Sequence, residues 1–225
     1  MNFFNKDEIV YKRIIQYVVG LFIMNIGIAF SIKSNLGSTP VVTVPYAISL
    51  ITGFDIGYTN AAFQAFLVLI ELLLLRSAFK SKHFLQVFVA ILFSAFTSLS
   101  LIILGLFLPP ANSIILQILF LVLGIVILAF GLFLYVPMNV VPVSVDGLTQ
   151  TLAIVANQSF AKTKVVFDIS MIIISLIISF TFTGTLDGSA GIGTVIAALS
   201  IGTTVKIINM IYAKISGKEA DMKKM

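Results

Sequence analysis

Apolar residues run through this chain in blocks broken by short polar or proline- and glycine-containing stretches, and the length of each block decides what it can be. Six blocks, approximately 13–33, 57–76, 83–108, 113–137, 161–183 and 190–213, can cross a hydrocarbon layer of roughly 30 Å at about 1.5 Å per helical residue. Two more, 40–53 and 144–157, cannot, because a helix of that length rises only about 20 Å. The pattern predicts six spanning helices and two half-length ones.

The blocks also repeat. Sliding the chain by 104 positions without a gap lays Gly20 on Gly124, Gly27 on Gly131, Asn35 on Asn139, Thr59 on Thr163 and Phe63 on Phe167. Thr39 and Pro40 land on Val143 and Ser144, so both short blocks begin at equivalent places. Three spans per repeat is an odd number, so the second repeat is expected upside down relative to the first, as in many secondary transporters.

Charge decides whether the short blocks cross. If each enters and leaves on one face, Lys6, Lys12, Arg13, Arg76, Lys80, Lys82, Lys162, Lys164, Lys214, Lys218, Lys223 and Lys224 share a side, 12 of the 14 Lys/Arg. If they cross, only 9 do. The positive-inside bias therefore favours re-entrant segments and cytoplasmic termini, with the loops at Asp55, Pro109 and Asp187 outside. Amphipathic helices lying on the membrane surface are the alternative, but Val41 to Ile51 has almost no charged face. The expected fold is an all-α membrane protein of six transmembrane helices and two re-entrant half-helices. It forms two inverted three-span repeats, 1–109 and 110–213, followed by a cytoplasmic tail at 214–225.

Composition agrees: 59% of the 225 residues are hydrophobic and 10% charged, against about a quarter charged in a soluble domain. There is no cysteine, and His83 is the only histidine. Disulfides and thiolate metal sites are excluded, a Ser-His-Asp site is improbable, and neither enzyme activity, metal nor cofactor is expected. The net charge of +5 lies in short runs between apolar spans, which reports orientation rather than nucleic acid. Behind Lys12 and Arg13, the apolar run from Ile14 is span-length and lacks a small-x-small cleavage site, so it reads as an uncleaved first helix.

Candidate chemistry gathers at the short blocks and the spans after them. A Thr39 hydroxyl could cap free N–H groups, and Pro40 suits a first helical position. If residues 34–39 descend, a positive dipole end arrives near the midplane, where it favours an anion or the negative end of a polar solute. The amides of Asn35 and Asn139 are expected to hold the turns by hydrogen bonds, with Gly37, Gly147, Pro40 and Pro142 shaping them. Asn60, Gln64 and Glu71 share one helix face, as do Lys164, Asp168, Ser175 and Ser179. Charges inside a membrane are expensive and mark pathways or ion pairs. Glu71 could pair with Arg76, Lys164 with Asp168, and Asp146 with Lys206; Asp146 could equally cap its helix or bind a driving proton or cation. Asn25, Thr97 and Ser98 read as bonds between helices, and Gly191, Gly193, Gly202, Ala197 and Ala198 as a close-packing surface. His83 reads as a solvated boundary residue.

The run Gly27 to Pro40, with Leu36, Gly37, Thr39 and Pro40 in its turn, resembles the signature of the YczE/YyaS/YitT-like bacterial membrane proteins. Gly191 to Val195 is similar to that family's small-residue helix start. The resemblance implies this topology and a bacterial inner-membrane setting, and brings no substrate or catalytic residue. The second copy departs from the motif, reading Val140, Val141, Pro142, Val143, Ser144, so the two half-sites are chemically unequal.

The resulting expectation is a small carrier or channel-like transporter for a polar or anionic solute. Its site would be Ser38, Thr39, Ser144 and Asp146 at the half-helix tips, with Asn60, Gln64 and Asp168 on the following spans. Partners are the lipid bilayer and that solute, with a homo-oligomer left open and nucleic acid excluded. The alternative is a non-transporting membrane partner, such as a substrate-capture subunit of an ATP-driven importer or a regulator of another membrane protein.

Overall fold

The computed structural model describes residues 6–76, 81–185 and 188–216; Lys80, Asp187, Lys218, Lys223 and Lys224 of the charge count lie outside them. Within those residues the chain is all helical: α1 (Lys6–Lys33), α2 (Thr43–Thr52), α3 (Ile56–Leu75), α4 (Ser81–Phe107), α5 (Ile114–Tyr135), α6 (Ser144–Val155), α7 (Phe160–Thr183) and α8 (Ile192–Ile215). Six stretches, in α1, α3, α4, α5, α7 and α8, are long and apolar enough to cross a membrane. Large apolar side chains such as Leu106 and Ile115 point outward at 77% exposure, costly in water and free of cost in lipid.

Helices α1 and α5 cross at the centre. Arg13 donates to the Met138 carbonyl, Tyr17 packs on Tyr135 and Phe30 on Phe120, so one helix runs up as the other runs down. Glycines let the backbones touch. A Cβ on Gly124 would lie 2.8 Å from the Gly27 carbonyl oxygen, and one on Gly131 would lie 2.8 Å from that of Gly20. The 104-residue offset turns each of these contacts into the other. Small residues are the usual means of bringing apolar helices this close, since lipid gives no hydrophobic drive to associate.

Other contacts fix the remaining directions. Phe22 meets Phe96, Thr97 bonds Asn25, and the Lys33 ammonium donates to the Leu108 carbonyl at 3.3 Å, so α4 runs parallel to α1. Asn60 bonds Thr97 and Glu71 faces His83, so α3 is antiparallel to both. The end of α1 and the start of α3 therefore lie at the same end of the bundle, with α2 between them. Packing partners come in matched sets: α2 on α7 and α6 on α3, α1 on α4 and α5 on α8.

The turns match as well. Asn35 and Asn139 both adopt left-handed backbone, φ 58 and 49, a conformation asparagine tolerates better than most residues. Gly53 and Asn157 do the same after α2 and α6, at φ 72 and 50. Asp55 and Ser159 cap α3 and α7 by accepting from the backbone of Gly57 and Lys162. Each pair is 104 residues apart.

Helix α2 starts later than the sequence suggests, at Thr43 rather than Pro40. Pro45 is the reason. A helix begun at Pro40 would need an N–H from residue 45 to reach Val41, which proline lacks and its ring obstructs. Begun at Thr43, Pro45 falls among the first positions, whose N–H groups have no helical partner anyway. Residues 39–42 form a turn instead, with Val42 donating to the Thr39 carbonyl at 3.0 Å and no side-chain cap on α2.

Candidate solute and ion site

Three charged side chains meet at the N-terminal end of α6. Asp146 occupies its first turn, where the dipole stabilises a carboxylate. Lys164 and Asp168, one turn apart on α7, face it. The Lys164 ammonium lies 3.0 Å from Asp168 and 3.2 Å from Asp146, an ion pair with each. The three are only 24%, 15% and 28% exposed, and two carboxylates around one ammonium leave a formal charge of −1.

They open on a cavity of about 90 Å³, room for roughly three waters at about 30 Å³ each. Four pairs related by the 104-residue offset contribute to its wall: Met24 with Leu128, Ile28 with Leu132, Thr39 with Val143, and Val41 with Val145. The cavity thus sits where the two halves of the chain meet. Thr39 is completely buried there, and its hydroxyl has no hydrogen-bond partner among the described residues.

Of the candidate solute-binding residues, Thr39, Asp146 and Asp168 come together at this cavity. Ser38 is spent elsewhere, its N–H and hydroxyl both donating to the Ser189 carbonyl, at 3.0 and 2.8 Å. Ser144 is buried, its hydroxyl without a partner among the described residues, but it does not line the cavity. Asn60 and Gln64 lie in a buried chain: Gln64 donates to Asn60 at 3.4 Å, Asn60 to Thr97 at 3.3 Å, and Thr97 to Asn25 at 2.6 Å. That chain ties α1, α3 and α4 together, and under the offset Asn60 and Gln64 are the counterparts of Lys164 and Asp168. One half of the molecule holds uncharged amides where the other holds an ion pair.

The remaining candidates act on the frame. Gly37, at φ 107, lies against the start of α8, where a Cβ would fall 2.5 Å from Gly191 N. Gly147 leaves room for the Gln86 amide, Pro40 is buried in the cavity wall, and Pro142 lies in the extended stretch before α6. Asn35 and Asn139 are exposed and make no amide hydrogen bond among the described residues; they shape their turns through left-handed backbone instead. Glu71 is not with Arg76, which is exposed; it is buried, accepts from Thr151 at 3.0 Å and lies 3.9 Å from His83. Lys206 is exposed, and the basic partner of Asp146 is Lys164. Ser98 donates to the carboxylate of Asp55.

Sequence reasoning missed the pairing of Lys164 with Asp146 and the tyrosines that hold residues 141–143. Tyr17 donates to the Val141 carbonyl at 2.7 Å, and the Val143 N–H donates to the Tyr135 hydroxyl at 2.8 Å. Nothing in local spacing pairs Tyr17 or Tyr135 with 141–143. Tyr135→Phe strands a buried N–H, which should cost about 1–3 kcal/mol. Thermal melting of the purified protein in detergent checks this; an unchanged midpoint would mean that the hydroxyl does not hold Val143.

A family model for DUF6198, a family of unknown function, matches residues 11–210. A protein of Haemophilus influenzae (strain ATCC 51907 / DSM 11121 / KW20 / Rd), described as an uncharacterized protein, is 28% identical over 212 residues, covering 91% of this chain and 87% of its own. No solved structure matches.

Proposed function

This chain belongs to the DUF6198 family, and we propose that it is a membrane carrier that binds a small polar solute between the tips of two half-helices. The observation that carries this reading is the cavity itself: the turn before α2 and the first turn of α6 both reach it, and they bring Thr39 and Asp146 to one place.

Helix directions support re-entrant short segments, since α1 ends where α3 begins. The offset-matched turns and the self-exchanging glycine contacts of antiparallel α1 and α5 support two inverted repeats. With the basic residues inside, both termini are cytoplasmic and the host membrane is the cell membrane, in keeping with the YczE/YyaS/YitT-like resemblance. Rocking one repeat against the other about the α1/α5 crossing would expose the cavity to each side in turn. The side chains there sum to −1, which offsets the roughly +0.5 charge of each helix N-terminus and argues for a polar rather than a purely anionic solute.

The test is a thermal-shift screen of small polar solutes on the purified protein, repeated with Asp168→Asn, followed by uptake of each hit into proteoliposomes. A solute that stabilises the parent, fails to stabilise the variant and is taken up by the pure protein is the expected result. Solutes that bind but enter liposomes only alongside a co-purified ATPase would replace the carrier with a capture subunit.

A further inference from the structure

We propose that the solute is a small zwitterionic amino acid of about glycine's size, its ammonium group on Asp146 and Asp168 and its carboxylate on Lys164 and the Thr39 hydroxyl. This rests on the carrier reading and names its substrate class.

The cavity offers both signs of charge side by side, with capacity to spare. Lys164 keeps its ion pairs at 3.0 and 3.2 Å, yet an ammonium has three donors and the two carboxylates take only two of them. Each carboxylate in turn has acceptor sites beyond the one that Lys164 fills. A solute can therefore add its own two charges without displacing any of the three side chains. The Thr39 hydroxyl, completely buried and without a partner among the described residues, adds one more donor in the same cavity.

Charge balance selects a solute with no net charge. The side chains sum to −1, and the N-termini of α2 and α6 contribute roughly +0.5 each, so the site is close to neutral by itself. A lone cation or anion would bring an unbalanced charge out of water, which is costly in a low-dielectric interior. A zwitterion brings none.

Wall and volume narrow the class further. Apart from these four side chains the lining is apolar, Met24, Ile28, Leu128 and Leu132 included, which suits a methylene group and would leave the hydroxyls of a sugar or polyol unpaired. The volume of about 90 Å³ is that of roughly three waters, so a bulky amino-acid side chain does not fit. The site is also single. Under the 104-residue offset the same positions in the first half are Asn60 and Gln64, uncharged and bonded to each other, and Val42 in place of Asp146. Only one half of the molecule can hold the two charged ends, and one solute binds per chain.

Thermal melting of the full-length protein in detergent, titrated near neutral pH and at constant ionic strength with glycine, glycolate, ethanolamine and phenylalanine, tests the proposal. Glycolate keeps only the carboxylate, ethanolamine only the ammonium, and phenylalanine both with a side chain too large for the cavity. A saturable rise with glycine and none with the other three is expected. Thr39→Val should raise the half-saturating glycine about tenfold or more, as the loss of one hydrogen bond to a charged group does. Asp168→Asn and Lys164→Gln should abolish the rise. An unchanged midpoint of the parent protein in glycine, or an equal rise with any of the other three, would overturn the assignment without recourse to a variant. The carrier reading is separable: glycine binding without uptake into proteoliposomes leaves the zwitterion site and removes the carrier. Uptake of a solute of another class, with no glycine binding, does the reverse.

Discussion

Gly27→Ala should lower the melting temperature of the purified protein by roughly 6–12 °C, taking a cost of about 3 kcal/mol and the usual proportion between free energy and midpoint for a chain of this size. The direction is opposite to what helix propensity alone gives, since alanine in place of glycine ordinarily favours a helix by about 1 kcal/mol. Geometry overrides propensity here. The new methyl would stand 2.7 Å from the Gly124 carbonyl oxygen, and the neighbours it meets are backbone atoms of α5, which cannot rotate away as a side chain can. Helices α1 and α5 would have to separate, and with them the Met24, Ile28, Leu128 and Leu132 walls of the cavity. Gly105→Ala is the control, because nothing lies within 4 Å of a Cβ there; its midpoint should hold or rise. Equal midpoints for the two variants would mean that α1 and α5 are not in backbone contact.

Asn35→Cys and Asn139→Cys should be labelled from opposite faces of the membrane, each completely from one side and not at all from the other. The native chain has no cysteine, so each variant carries one thiol, and both positions are exposed turns. The contrast is all or none because it depends on an odd count of crossings between the two residues. If α2 spanned the bilayer, the count would become even and both thiols would react from the same side. Impermeant maleimide applied to right-side-out and inverted vesicles reads the outcome directly.

Much of the helical layout was legible because lipid imposes a crude requirement: a block is long enough to cross or it is not. Span boundaries, the glycine pairs and the Asn35 and Asn139 turns all follow from length or from a residue type with few alternatives. The site was less legible. Asn60 and Gln64 read as solute ligands because a polar stripe on a helix face has the same spacing whether it faces a cavity or another helix. Only the positions of Asn25 and Thr97 across two further helices distinguish the cases. Thr39 and Asp168 were recognisable by place, whereas the join between Asp146 and Lys164 depends on how α6 lies on α7, which no local spacing encodes. Glu71 shows the same limit. Arg76 was its nearest charge along the chain, but the rotation of α3 turns it to Thr151 and His83.

Pro45 is not among the residues that line the cavity, yet its ring governs how the cavity is roofed. By forbidding the helix from unrolling backward to residue 40, it leaves Thr39 in irregular chain with an oxygen to spare, where one more helical turn would have drawn that residue into a regular ladder. A substitution that looks harmless on paper, such as Pro45→Ala, would let the short helix lengthen at its N-terminal end. The chamber would then be reshaped by a residue that need never touch what the chamber holds.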